Sequence, residues 1–357
     1  MAVDFAALET WTRQQLNQDC AEFELSLVAG DASPRQYFRA SWRSNSSQTP
    51  STAIAVLAPP TEKTAEFLLV QKHLEQHGIR VPRVLAQSVD AGFMLLEDLG
   101  DQLLLPLLTP QSVARYYGAA QSLLVSLAHH DLASITIDQY DEASLRRELD
   151  LFPEWYIGKL LNLPIDAKLS TALSELWKIL VDNATEQPQV FVHRDFHSRN
   201  IMALDNDVLA VIDFQDAVIG PITYDLVSLL KDCYVHWPRQ QQLQWSEQHR
   251  AQLVSAGVCE YVSKQQWQRW FDLMGLQRHL KVLGIFARLS LRDGKSAYLN
   301  DLPLVMNYVI EILRLYASTH SAFKCLLDWF ETTALERCAD QAWYTSSKSP
   351  SPGTHQP

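Results

Sequence analysis

From residue 20 to residue 97, apolar positions fall mostly into short runs, alternating with polar ones or unbroken, and bounded by turn residues, the pattern of strands. Phe23, Leu25 and Leu27 form one run, and Gln36–Trp42 returns antiparallel to it across the turn Gly30-Asp31-Ala32-Ser33. After a polar loop at 44–51, Ala53–Leu57 predicts a third strand, stopped by Pro59-Pro60. Val81–Leu85 and Gly92–Leu96 predict two more. Two stretches keep a helical stripe instead. One is 1–20, with Phe5, Leu8, Trp11 and Leu16; the other is 61–77, with Phe67, Val70 and Leu74, capped by Thr61 or Thr64. From Thr109 onward the spacing is helical over 110–130, 142–162, 167–184, 223–235, 241–257, 264–291 and 302–336. Only two apolar runs, Val190–Val192 and Val208–Ile212, interrupt it, and each ends in a dense polar cluster. The pattern predicts an α+β fold in two lobes. Residues 1–97 form a small, mostly antiparallel β-rich lobe with one helix, 98–101 a hinge, and 102–345 a larger, mostly helical lobe. Residues 346–357, rich in Ser, Pro, Thr and Gly, form a disordered tail.

Composition narrows the class. The chain has 357 residues, of which 47% are hydrophobic, enough for two lobes with real cores. A formal net charge of −11 argues against a general nucleic-acid binder, which needs a basic face, but leaves room for a local basic pocket. Residues 1–16 carry Asp4, Glu9 and Arg13 and lack the apolar core of a secretory signal. No apolar run approaches the ~18 residues of a membrane span. Five scattered cysteines without a C-x-x-C pair read as reduced, structural thiols of a cytoplasmic protein, not a zinc or disulfide framework.

The two interrupting runs carry the chemistry. His193-Arg194-Asp195 followed by Asn200 fits H-R-D-x-x-x-x-N, and Asp213-Phe214-Gln215 begins thirteen positions after Asn200, where protein kinases carry D-F-G. Strand ends would bring Asp195, Asn200 and Asp213 into one small volume. Two carboxylates about 4 Å apart repel by roughly 4 kcal/mol at an effective dielectric near 20, so the cluster implies a cation, for which magnesium on nucleotide phosphates is suited. In phosphoryl transfer Asp195 is the base that takes the acceptor hydroxyl's proton. Asn200 and Asp213 are the oxygen ligands of the metal.

These residues resemble the aminoglycoside phosphotransferase-like family, small-molecule relatives of protein kinases, whose motif usually runs H-G-D-x-H-x-x-N and then I-D-x. His193, Asp195, His197, Asn200 and Ile212-Asp213 stand in those places, and the resemblance covers roughly residues 25–320. Within the family the chain is similar to the bacterial anomeric kinases of cell-wall amino sugars. The similar stretches are Gly30–Ser33, Arg35–Arg39, Leu151–Tyr156, Asp213–Ala217 with Gly220-Pro221, Thr223–Leu230 and Gly284–Leu289, those around 213–230 being the specific ones. The resemblance implies a bilobal protein-kinase-like fold whose N-terminal lobe binds ATP and whose helical lobe carries catalysis and substrate. It implies phosphorylation of C1 of N-acetylmuramate and N-acetylglucosamine in cell-wall recycling. It implies that Glu97 and Leu99 at the hinge meet adenine, and that Asp225 supports the catalytic loop. His193 and His197 are expected as packing and hydrogen-bond partners of that loop.

One departure stands out. The third strand, Ala53–Leu57, has no lysine, and no G-x-G-x-x-G loop precedes it. Arg35 and Arg39, flanking the hairpin, are the candidates to neutralise the nucleotide phosphates; Lys63 and the role of Glu66 stay open. For the sugar, Trp155 offers a stacking face and Glu154 a carboxylate. Arg278 and Arg288 suit the lactyl carboxylate of N-acetylmuramate, with Tyr224 and His279 as further candidates. Antibiotic, choline or homoserine phosphorylation are the alternative reactions. A pseudokinase that only binds ATP is the alternative of another class, opposed by the intact Asp195, Asn200 and Asp213. Partners are ATP and an amino sugar, with no nucleic acid and no membrane.

Overall fold

A computed structural model describes residues 5–16, 20–28, 35–44, 51–59 and 62–344. The predicted turn at 30–33, most of the loop at 44–51, the cap Thr61 and the tail at 346–357 lie outside these residues. In chain order the elements begin with α1 (Phe5–Gln15), β1 (Cys20–Leu27), β2 (Gln36–Ser44), β3 (Ser51–Leu57), α2 (Thr64–Gln76), β4 (Val84–Ser88) and β5 (Phe93–Glu97). Next come α3 (Val113–Ala128), α4 (Glu142–Leu149), a π-helical segment (Phe152–Leu160), α5 (Ala167–Thr185), β6 (Gln189–Val192), β7 (Ile201–Ala203), β8 (Leu209–Val211) and β9 (Val218–Pro221). The chain continues with α6 (Tyr224–Leu230), α7 (Arg239–Ser255), α8 (Lys264–Asp293), α9 (Leu302–Tyr316), α10 (Ser321–Trp329) and α11 (Leu335–Ala339).

The chain divides into two compact units. The first gathers residues 1–102 and 201–216. Its five-stranded sheet runs in the order β1-β2-β3-β5-β4, antiparallel throughout. Alternation sends Ala53, Ala55 and Leu57 of β3 to one face. There they meet Phe38, Phe93 and Leu95 and the α1 residue Leu8, with Trp11 packed against them. The segment 201–216, assigned to the helical lobe by the sequence, belongs here. Val211 N donates to Arg80 O at 2.9 Å, Ala203 N donates to Gln102 O at 2.8 Å, and the rings of Phe67 and Phe214 lie 4.8 Å apart.

The second unit, 103–200 and 217–357, is mostly helical. At its centre is α8, where every residue from Trp270 to Gly284 is buried. Its polar residues in that stretch, Asp272, Gln277, Arg278, His279 and Lys281, are buried with it and each has a polar partner in this unit. The π-helical segment packs along α8 at a point that requires glycine. A Cβ on Gly284 would lie 2.4 Å from the Leu151 carbonyl carbon and 2.5 Å from its oxygen. Phe152 then stacks on Tyr156 and Phe330, with ring centroids 5.4 and 5.9 Å away.

Several elements differ from expectation. Beside the two interrupting runs, which form β6 and β8, stand two strands that the pattern does not announce: β9 pairs with β6, and β7 with β8. At four and three residues, β9 and β7 are too short to leave a periodic trace. The helix expected over 142–162 breaks at Asp150, and Pro153, which lacks an N–H, sits in the first turn of the π-helical segment. The helix expected over 302–336 ends at Tyr316. It restarts after His320, whose ring nitrogen Nδ1 accepts from Ala322 N at 3.2 Å. Thr64 is the first residue of α2, not its cap; Lys63 takes that place without a side-chain bond. Among the described residues no helix is long and apolar enough to cross a membrane. Cys233, Cys259, Cys325 and Cys338 are free thiols.

Candidate active site

In the second unit, β6 delivers the chain into the loop 193–200, and that loop is held by acids from elsewhere. Asp225, in the first turn of α6, accepts from His193 N at 2.6 Å and Arg194 N at 3.0 Å. Asp232, just beyond α6, accepts from both the backbone N (3.0 Å) and the hydroxyl of Ser198, and from Tyr234 N at 3.1 Å. Inside the loop, Asp195 O receives His197 N at 2.9 Å and Asn200 Nδ2 at 3.1 Å. His193 accepts from Asp195 N through Nδ1 at 3.3 Å, and its ring lies edge-on to Phe196. The His197 ring lies edge-on to Tyr234.

The surroundings of Asp195 are cationic. Burial pushes its carboxyl up, but Lys281, His197, Arg194 and Arg278 together outweigh burial and hold it below the ordinary aspartate range. Asp225 goes the other way. Burial pushes its carboxyl up to about 7, despite the two backbone N–H groups it accepts. Arg278 is buried at 4% exposure, with Nη1 3.5 Å from Cys233 Sγ. Lys281, three residues further and hence on the same side of α8, places Nζ 3.0 Å from the Tyr224 hydroxyl and 3.0 Å from Glu148 Oε2. Glu148 also accepts from the Arg194 guanidinium and the Tyr140 hydroxyl.

Other sugar candidates lie elsewhere in this unit. Arg288 is two turns beyond Lys281, about 10 Å by helical rise. On the π-helical segment, Glu154 pairs with Lys159 at 2.6 Å, and the Lys159 ammonium sits 3.5 Å above the Trp155 ring. His279 is fully buried, stacked on Tyr308, with Nε2 2.9 Å from Lys231 O.

In the first unit, Asp213 follows β8 in a left-handed conformation (φ 64°), and its Oδ1 accepts from Gln215 Nε2 at 2.7 Å. Phe214, fully buried against Phe67, anchors that turn. Arg35 is buried at 2% exposure; it donates to Lys63 O at 3.3 Å and packs over the Phe67 ring. Lys63 and Glu66 are exposed. Arg39 lies in a fork of two acids, Asp98 (2.7 Å) and Asp101 (2.7 Å). The half-buried Glu97 carboxylate takes Arg80 at 2.6 Å and Arg83 at 3.1 Å. Burial opposes its ionisation, but these arginines outweigh burial and hold it down to about 2. Half-buried Leu99 and then Gly100, at φ 82°, follow it.

The sequence did not single out Glu148, Lys281, Asp232 or Tyr140. Only Lys281 carried a signal, its i,i+3 spacing from Arg278 on a long helix.

The profile of the phosphotransferase enzyme family matches residues 24–257. The N-acetylmuramate/N-acetylglucosamine kinase of Pseudomonas aeruginosa is 40% identical over 286 residues, 80% of this chain and 82% of that protein. The enzyme of the same name from Neisseria meningitidis is 36% identical over 323 residues, covering 88% and 93%. Among solved structures, choline kinase from Cryptosporidium parvum has a TM-score of 0.62 at 13% identity, covering 92% of this chain and all of that one. ADP-bound aminoglycoside phosphotransferase APH(2'')-Ib has a TM-score of 0.54 at 13% identity, covering 87% and 99%. At such low identity these structures bear on the fold alone, an α+β protein-kinase-like fold with an antiparallel sheet followed by a helical region. A family match over most of the sequence, with relatives at 36–40% identity along it, leads to one assignment: this chain belongs to the phosphotransferase enzyme family.

Proposed function

We propose that the chain transfers the γ-phosphate of ATP to the anomeric hydroxyl of N-acetylmuramate and N-acetylglucosamine, in the cytoplasm, as a step of cell-wall recycling. The observation that carries this is its similarity, over 80–88% of its length, to relatives bearing that name. The site chemistry supports the same acceptor class. The charges of Lys281, His197 and Arg278 act on Asp195, whereas the Arg194 guanidinium is spent on Glu148. Such surroundings favour an anionic sugar and oppose a polycationic aminoglycoside.

Asp195 is assigned as the general base, kept ionised by its cationic neighbours. Asn200 and Asp213 are assigned to magnesium. An amide oxygen and a carboxylate are hard donors of the kind that ion prefers. Asn200 commits its amide nitrogen to Asp195 O, which turns its oxygen away from that contact. Bound magnesium would neutralise phosphate charge. Arg35, Arg39, Glu97 and Leu99 are assigned to the nucleotide. Glu154, Trp155, Arg278 and Arg288 are assigned to the sugar, and His193, His197 and Asp225 to support of the loop.

The test is magnesium-dependent ADP release with a panel of amino sugars, aminoglycosides, choline and homoserine, followed by phosphorus NMR of the product. The expected result is release with N-acetylmuramate and N-acetylglucosamine and a phosphorus signal coupled to the anomeric proton. Asp195→Asn should lower kcat by about 10²–10⁴-fold while ATP still binds. No release with any acceptor, alongside thermal stabilisation by ATP, would replace the kinase with an ATP-binding module.

A further inference from the structure

The residue before Asp195 holds a backbone conformation that its side chain disfavours. Arg194 has φ = +74°, where Cβ crowds the backbone and glycine is the ordinary occupant. Strain of this kind persists only when the surroundings over-determine it. Here two acids do so. Asp225 receives Arg194 N at 3.0 Å. Glu148, on α4 and 46 positions earlier in the chain, receives the guanidinium, which also faces the Tyr140 ring at 5.5 Å. Glu148 is itself fixed by the Tyr140 hydroxyl and by Lys281 Nζ at 3.0 Å. The side chains of Glu148, Arg194 and Lys281 are 14%, 25% and 10% exposed, so they form a mostly buried network with one carboxylate between two cations.

We propose that Glu148 is a positioning residue for phosphoryl transfer: by gripping the Arg194 guanidinium it fixes the left-handed turn that aims the Asp195 carboxylate. The proposal rests on Asp195 being the catalytic base. Glu148 acts through Arg194, so its loss misplaces the base without removing a substrate contact. Such a change appears in kcat and leaves KM in place. A purely structural ion pair would show itself in stability instead.

Glycine separates the two roles, because it takes φ = +74° without a grip. The full-length wild type, Glu148→Gln, Arg194→Ala, Arg194→Gly and the double variant E148Q/R194G are compared by ADP release at saturating ATP and amino sugar, and by thermal unfolding. Glu148→Gln and Arg194→Ala should each lower kcat by about tenfold or more, with both KM values within about twofold of wild type. Arg194→Gly should lower kcat by less than about fivefold, and E148Q/R194G should match Arg194→Gly, outpacing Glu148→Gln. If the double variant is slower by the product of the single effects, Glu148 does not act through the turn and the proposal falls. Equal rates for Arg194→Ala and Arg194→Gly overturn it too, as does a raised KM at unchanged kcat. Should Glu148→Gln show no cooperative unfolding, the alanine–glycine comparison at 194 decides alone. If the wild type turns over no sugar, the substrate assignment fails separately. The same ranking is then read in the hydrolysis of ATP by water.

Discussion

Replacing Asp232 isolates what one remote acid does for the catalytic loop. Its two carboxylate oxygens have different tasks. Oδ2 takes both the backbone N–H and the hydroxyl of Ser198, and Oδ1 takes Tyr234 N–H. All of this is buried, with Asp232 and Ser198 at 0% exposure and Tyr234 at 7%. In Asp232→Ala the serine hydroxyl can rotate to a new partner, but the two backbone donors cannot. Each buried donor left unmatched costs about 1–3 kcal/mol, and relief of the buried charge offsets part of it, giving a net loss of about 3 kcal/mol. Asp232→Asn keeps one oxygen for the Ser198 pair and turns an amide N–H towards Tyr234 N, for a loss of about 1–2 kcal/mol. The assay is urea denaturation followed by tryptophan fluorescence. Of the ten tryptophans, all but Trp11 and Trp42 lie in the unit that holds Asp232, so the signal reports on that unit. The slope m should stay constant and the midpoint fall. Asp232→Ala within about 0.5 kcal/mol of wild type would refute the reasoning, and so would asparagine costing as much as alanine.

Other outcomes rest on the same geometry. Gly284→Ala must push α8 away from the Leu151 backbone, since its Cβ would start 2.4 Å from a carbonyl carbon. The expected loss is about 1–3 kcal/mol by urea denaturation, and a neutral result would mean that the contact is loose. Asp225 has its carboxyl raised by burial to about 7 when folded, against roughly 3.9 unfolded. Folding therefore favours its protonated form. That contribution is complete below pH 4 and is lost as pH rises through 7, by about 1.4 kcal/mol per unit at most. The stability advantage of wild type over Asp225→Asn should accordingly shrink from pH 5 to pH 8, and a constant difference would contradict it. Arg39→Ala strips the 5%-exposed Asp98 side chain of its cation, at a cost of about 1–3 kcal/mol in thermal or urea unfolding. Arg35→Ala and Arg39→Ala are each expected to weaken ATP binding by isothermal titration, and unchanged affinity and turnover in both would remove these arginines from the phosphate role.

How much of the fold is legible in the sequence depends on range. Strands β1 to β5 announce themselves locally, β1 by the alternation of Phe23, Leu25 and Leu27, β3 and β5 by short unbroken apolar runs, Ala53–Leu57 and Phe93–Leu96. The three-residue β7 has no room to alternate, and the break between α9 and α10 contains no Gly or Pro, only Ala317-Ser318-Thr319-His320. Asp195, Asn200 and Asp213 stand out as candidates for the same reason as the strands, since their spacing is local. What their motif leaves unsaid is who accepts from it. The loop carries N–H groups at His193, Arg194 and Ser198, a serine hydroxyl and a guanidinium, all buried or partly so, and buried donors need acceptors. The sequence reveals that demand, yet any acid in the chain could meet it. Asp225 showed through because it opens a helix within the most similar stretch. Asp232 looked like one more acid within the helix expected over 223–235, which in fact ends at Leu230, and Glu148 like an ordinary acid beside Arg146 and Arg147. A motif of this kind therefore names candidate reacting groups, while the acids that accept from its loop sit in other elements, out of reach of any periodic pattern.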